Sequence, residues 1–138
     1  MSIYLVAPFF AWFVAGTIKF SVNSVKVNRL AFDLIGYGGL PSTHTSIATC
    51  ATALIGVREG IDHPAFLVAL TFSFIVVLDA ASLRRQVGKH AMYINELFVE
   101  RSKKVYLRER IGHTKLEIGF GIAVGIGCAY ILNLVSIT

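Results

Sequence analysis

The sequence predicts an all-α fold: a polytopic membrane helical bundle with about four transmembrane helices and a cytoplasmic helical loop. Three observations predict it. Of the 138 residues, 55% are hydrophobic, more than the interior of a soluble domain of this length can hide. The apolar residues arrive in long blocks rather than as a helical stripe, as expected where lipid is the solvent. Twelve of the thirteen Lys and Arg residues fall in two of the connections between those blocks. Each block must be helical, because lipid offers no water to satisfy backbone N–H and C=O groups.

The first block runs from Ile3 to about Ile18. No basic residues precede it and no cleavage pattern follows, so it reads as a retained anchor rather than a signal peptide. The second, Ser46 to Val57, is short and mild; it can be a full span, or a half-buried or re-entrant helix. The third, Pro64 to Leu83, has roughly the 20 residues a spanning helix needs. The fourth, Ile118 to Ile137, is of similar length and rich in glycine. No linker, fixed repeat or charge shift divides the chain, so residues 1–138 form a single membrane-embedded domain.

Charge orients the bundle. Lys19, Lys26 and Arg29 lie between the first two blocks, and nine more basic residues, Arg84 to Lys115, lie between the last two. With four spans both connections fall on one side, and the positive-inside rule makes that side cytoplasmic. A bacterial inner membrane is the expected location. The basic face meets anionic lipid head groups, with no nucleic acid as partner. Cys50 and Cys128 sit in apolar blocks without zinc-site spacing, so both read as packing residues and no metal or cofactor is expected.

The connection from Arg84 to Lys115 is too long for a simple turn. Its AMYINELF stretch sets Met92, Leu97 and Phe98 among polar residues; this fits a short helix at the membrane surface or a solvated helical arm. In GYGGLPSTHTS, Gly36, Gly38 and Gly39 precede Pro41, a turn leading into a helix start with Ser42 or Thr43 as N-cap.

Three constellations can carry chemistry. At PSTH, Ser42, Thr43 and the first amides of a helix can hold an oxyanion, with His44 in reach; ordinary capping explains the same residues. His113 and Glu117 share a helix face, where a carboxylate can hold one imidazole nitrogen and leave the other for attack; an interfacial ion pair is the plainer reading. Arg84 and Arg85 end the third block and can anchor it to head groups or grip a phosphate bidentately. Asp79, inside that block, requires a partner, with one of these arginines or a helix-end lysine the natural choice. On the fourth block, Gly121 and Gly125 form the small-xxx-small pattern of close helix approach. The four-span topology places Lys19, Ser42, His44, Arg84, Arg85, His113 and Glu117 near the same membrane border.

These residues resemble the divergent branch of the type-2 phosphatidic acid phosphatases, related to acid phosphatases and vanadium haloperoxidases. The resemblance rests on GG-x-PS-x-H ending at His44, DA-x-x-x-RR from Asp79 to Arg85, and GHT-x-x-E from Gly112 to Glu117. It covers most of the chain from Lys19 onward. Three features depart from the wider superfamily: the arginine pair stands nearly thirty residues before His113, Glu117 replaces an aspartate, and about four spans stand where larger lipid phosphatases have six. Arg84 and His90 reproduce the superfamily's Arg-to-His step, but Ile94 stands where the acid belongs.

The resemblance implies a metal-independent lipid phosphatase acting on a lipid phosphate or isoprenoid diphosphate. It implies His113 as nucleophile, Glu117 as its orienting carboxylate and His44 as general acid, with phosphate held by Lys19, Ser42, Thr43, Arg84 and Arg85. A non-catalytic scaffold or lipid-phosphate-binding protein is the alternative. A transporter fits less well, since the polar residues gather at one border. The glycine-lined fourth span leaves a groove that a second copy can cover, giving a homo-oligomer.

Overall fold

The computed structural model describes residues 3–32, 39–97, 106–109 and 111–136. The described residues form five α-helices and one π-helical turn: α1 (Ile3–Val27), α2 (Thr43–Glu59), α3 (Pro64–Leu78), the π turn (Asp79–Leu83), α4 (Arg84–Leu97) and α5 (Lys115–Val135). The fold is an all-helical membrane bundle. Among the described residues three helices are long and apolar enough to cross a bilayer: α1, the continuous Pro64–Leu97 helix of 34 residues, and α5.

α2 is the exception that explains the bundle. It is 17 residues long, rich in threonine, and buries Thr45, Ser46, Ala48, Cys50, Thr52 and Leu54. It packs against α1, α3 and α5, most extensively against α5. The second predicted span, Ser46 to Val57, is therefore a sheltered central helix, and its mild hydropathy follows from facing protein instead of lipid. Outward-facing Leu67, Val68, Phe72, Phe74 and Ile75 on α3, and Leu5, Phe9, Trp12 and Phe13 on α1, form the apolar surface. Water would not tolerate a patch of this extent, whereas hydrocarbon covers it without cost.

Small residues let the helices meet. Ala7, Ala11 and Ala15 recur every fourth residue on the inner face of α1, and the Cys50 thiol points at the Ala7 carbonyl. On α5, a Cβ at Gly121 would stand 2.7 Å from the Ser42 carbonyl, and one at Gly125 would stand 2.6 Å from that of Ser46. Lipid gives no hydrophobic drive between helices, so such close backbone approach supplies the packing attraction. Polar side chains inside the bundle are paired: Thr52 and Ser73 join α2 to α3 at 2.7 Å. Among the described residues no buried side-chain nitrogen or oxygen lacks a partner, as a medium without water requires.

The expected boundary at Leu83 is not a helix end. The helix continues through the π turn into α4, so most of the AMYINELF stretch prolongs the spanning rod rather than forming a separate surface helix; its Phe98 lies outside the described residues, as do Gly36 and Gly38. The chain then returns along α4 at residues 106–109. Asn95 fastens it like a strand partner: its amide donates to the Leu107 carbonyl at 2.8 Å and its carbonyl accepts the Leu107 N–H at 2.9 Å. Gly88 makes room, since a Cβ there would lie 2.3 Å from the Glu109 carbonyl.

Replacing Gly125 by valine forces α5 off α2 and should lower stability by about 1–3 kcal/mol, the usual cost of overpacking a well-filled contact. Thermal unfolding in detergent micelles reads this out. An unchanged melting temperature would show that the α2–α5 contact does not hold the bundle.

Candidate active site at one membrane border

The starts of α2 and α5 are joined by backbone. The Ser42 N–H donates to the Glu117 carbonyl at 2.9 Å, an approach that Gly121 permits. Ser42 is the N-cap of α2, yet its side chain caps nothing. Its hydroxyl is fully buried and shares a 2.9 Å hydrogen bond with Thr45. Thr43 is half-buried in the first helical turn, and His44 beside it is exposed. What this helix start presents outward is therefore its imidazole and its N-terminal dipole.

α5 begins with a capping box. The Glu117 N–H donates to the Thr114 hydroxyl at 3.2 Å, and the Thr114 N–H donates to Glu117 Oε2 at 2.8 Å. The same oxygen reaches His113 Nδ1 at 3.3 Å. A carboxylate fixed by the helix it caps thus fixes the imidazole, and Nε2 is left as the nitrogen for chemistry. Both side chains are largely enclosed, 9% exposed for His113 and 13% for Glu117.

The third wall is the π turn. The His113 N–H donates to the Ala80 carbonyl at 3.1 Å, and Arg84 pairs through Nε with Asp79, the arginine partner that Asp79 required. Gly112, at φ +98°, carries the chain past α4; a Cβ there would lie 2.7 Å from Arg85 Cγ and 2.9 Å from the Arg85 nitrogen. Only glycine combines that backbone conformation with that approach.

Charges converge on the two histidines. Burial holds the His113 imidazole below its ordinary range, and the nearby Lys19 ammonium pushes it further down. Glu117 opposes both by hydrogen bond and charge, while Arg84 adds to the depression. His44 feels Arg84, His113, Lys19 and Asp79. The structure thus brings together Lys19, His44, Arg84, His113 and Glu117, with Ser42 and Thr43 at the α2 start. Arg84 is the arginine whose charge reaches both histidines; Arg85 lies instead against the Gly112 backbone. His90 is exposed on α4, six residues beyond Arg84.

Sequence reasoning missed Arg108, whose charge is felt at Lys19. It is one of nine basic residues in its connection, and no spacing distinguishes it. Among the described residues no group of three His, Cys, Asp or Glu side chains gathers as a metal site. The cluster's cations, around a helix start, suit an oxyanion.

Fold and cluster together define a class: a polytopic helical membrane protein with paired histidines and cations at one border. The chain belongs to the Divergent PAP2 family, whose model matches residues 2–128. It is 29% identical over 129 residues to an uncharacterized membrane protein, YuiD, of Bacillus subtilis (strain 168), covering 81% of this chain and 82% of that one. No solved structure matches.

The electrostatics give two opposite expectations for His113. Lys19→Met should raise its pKa by removing a neighbouring positive charge, and Glu117→Gln should lower it by removing the balancing carboxylate. Histidine NMR titration in micelles measures both. Shifts in the same direction would rule out the arrangement.

Proposed function

We propose that this protein is a lipid phosphatase that removes phosphate from a lipid phosphate or lipid diphosphate at the cytoplasmic face of a bacterial plasma membrane. The observation that carries the proposal is His113, held at Nδ1 by Glu117, with Lys19, Arg84 and His44 around it. Depth supports a lipid substrate. Lys19 lies sixteen residues into α1, about 24 Å along its axis at 1.5 Å per residue. That is near the edge of a hydrocarbon core of about 30 Å. A phosphate bound there leaves its hydrocarbon chain in the bilayer.

In the proposed reaction, Lys19 and Arg84 neutralise the phosphate and stabilise charge on its equatorial oxygens, helped by the α2 start at Thr43. His113 Nε2 attacks phosphorus in line; the N–P bond forms as the P–O bond to the lipid breaks. Protonated His44 gives its proton to the departing oxygen. Neutral His44 then takes a proton from water, which attacks the phosphohistidine, breaks the N–P bond and releases inorganic phosphate. Ser42, buried under the site, contributes the position of the helix start rather than its hydroxyl. Arg85 acts at the rim through its charge.

A second reading, binding of lipid phosphate without turnover, is favoured by the near-complete enclosure of the His113 side chain.

Phosphate release from a panel of lipid phosphates and diphosphates, with EDTA present, separates the two readings. Wild-type protein should turn over and folded His113→Ala should not; full activity in that variant refutes the assignment and returns attention to His90. Binding of phosphate by the wild type with no release supports the second reading. The depressed His113 pKa bears on the acid limb of the pH profile. The nucleophile stays neutral as pH falls through the ordinary histidine value of about 6.5, so loss of nucleophile on the acid side should set in below that value. In Lys19→Met this limb should move to higher pH.

A further inference from the structure

The π turn has no assigned role, and two unusual contacts begin on it. Residues five apart on an α-helix do not share a face, because neighbours there are three or four apart. Within a π turn the bonding runs from i to i+5 and stacks such residues. Asp79 and Arg84 are five apart, and the Arg84 N–H donates to the Asp79 carbonyl across the turn. Their side chains meet as a consequence, Arg84 Nε against Asp79 Oδ2. The same shift of register changes Ala80: an unbroken α-helix would give its carbonyl to Arg84, and here it accepts the His113 N–H at 3.1 Å.

We propose that the π turn is the positioning element of the site, with Asp79 as the residue that aims Arg84 and Ala80 as the point that ties His113 to the same turn. This rests on the reading of the cluster as a phosphate site. Of the five N–H donors of a guanidinium, the one on Nε is committed to Asp79, and four remain on the two terminal nitrogens. Fixing Nε removes the freedom of a long side chain to swing toward head groups, so the terminal fork is preorganised for a phosphate. Because Arg84 and His113 hang from one turn, the distance between phosphate grip and attacking nitrogen is set by five residues of backbone rather than by the long connection between α4 and α5. Asp79 touches Arg84, not the reacting atoms, and is a positioning residue.

The test is a double-mutant cycle on full-length protein in micelles, reading the affinity for inorganic phosphate in wild type, Asp79→Asn, Arg84→Ala and the double variant. Asp79→Asn should weaken binding about tenfold, the lower end of what losing an orienting partner costs at comparable sites. In the Arg84→Ala background the same change should cost nothing further, because its effect passes through the missing guanidinium. A purely structural Asp79 would instead cost the same in both backgrounds, and that result overturns the inference. If Asp79→Asn does not fold, Asp79→Glu, which displaces the carboxylate by one methylene, carries the same cycle with the same criterion. A wild type without phosphate affinity refutes the phosphate-site reading itself; a wild type that binds alongside an equally tight Asp79→Asn refutes the positioning role alone.

Discussion

Glu117 makes the contact on which the rest of the structure depends. Its carboxylate accepts the Thr114 N–H and so caps α5, and the same oxygen meets His113. Its carbonyl accepts the Ser42 N–H and so fixes where α2 begins. A helix end in or near hydrocarbon must find partners for its first amides, and here one residue supplies them for two helices while holding an imidazole. The glycines at 121 and 125 exist in service of that junction, since any side chain there would separate the helices at the turns that follow. A glutamate, one methylene longer than the aspartate of the wider superfamily, reaches both the cap and the ring.

Much of this was legible in the sequence because lipid simplifies the rules. Long apolar blocks become helices, and a charge inside one of them demands a partner; for Asp79 the sequence offered either arginine or a helix-end lysine, and the structure selects Arg84. The small-xxx-small pattern foretold a close approach. His113 and Glu117 were expected to share a helix face, but α5 starts at Lys115, and the two meet because the carboxylate folds back to cap the helix and reaches the imidazole that precedes the cap. Features that depend on tertiary context were hidden. Nothing in DAASL distinguishes a π turn from an α-helix, so the rod was divided at Leu83 although it runs on to Leu97. Ser42 is the N-cap residue the sequence offered, but its hydroxyl is claimed by Thr45 and makes no capping bond. Asn95, one polar residue among several in α4, gave no sign that it fastens the returning chain.

That fastening resolves the distance between the arginine pair and His113. Proximity along the chain is one way to bring an arginine to a histidine. Folding a long connection back along the helix that carries the arginine is another, and at Gly88, Asn95 and Gly112 the described part of the returning chain meets that helix. Arg84 and His113, far apart in sequence, are thereby brought close enough for the arginine's charge to be felt at the imidazole.

The sheltered position of α2 has a consequence for biogenesis. A helix with threonine and serine along its length gains little from hydrocarbon when first presented to it. Its retention depends on neighbours that mask its hydroxyls: α1 precedes it in the chain, while α3 and α5 follow. α5 has the largest contact with α2 and follows all the other helices from the membrane-insertion machinery. Insertion of α2 is therefore completed backwards, by a segment made after it. Since His113 and Glu117 enter with α5, a chain interrupted before that point has neither a closed bundle nor the paired imidazole and carboxylate at the bundle's end.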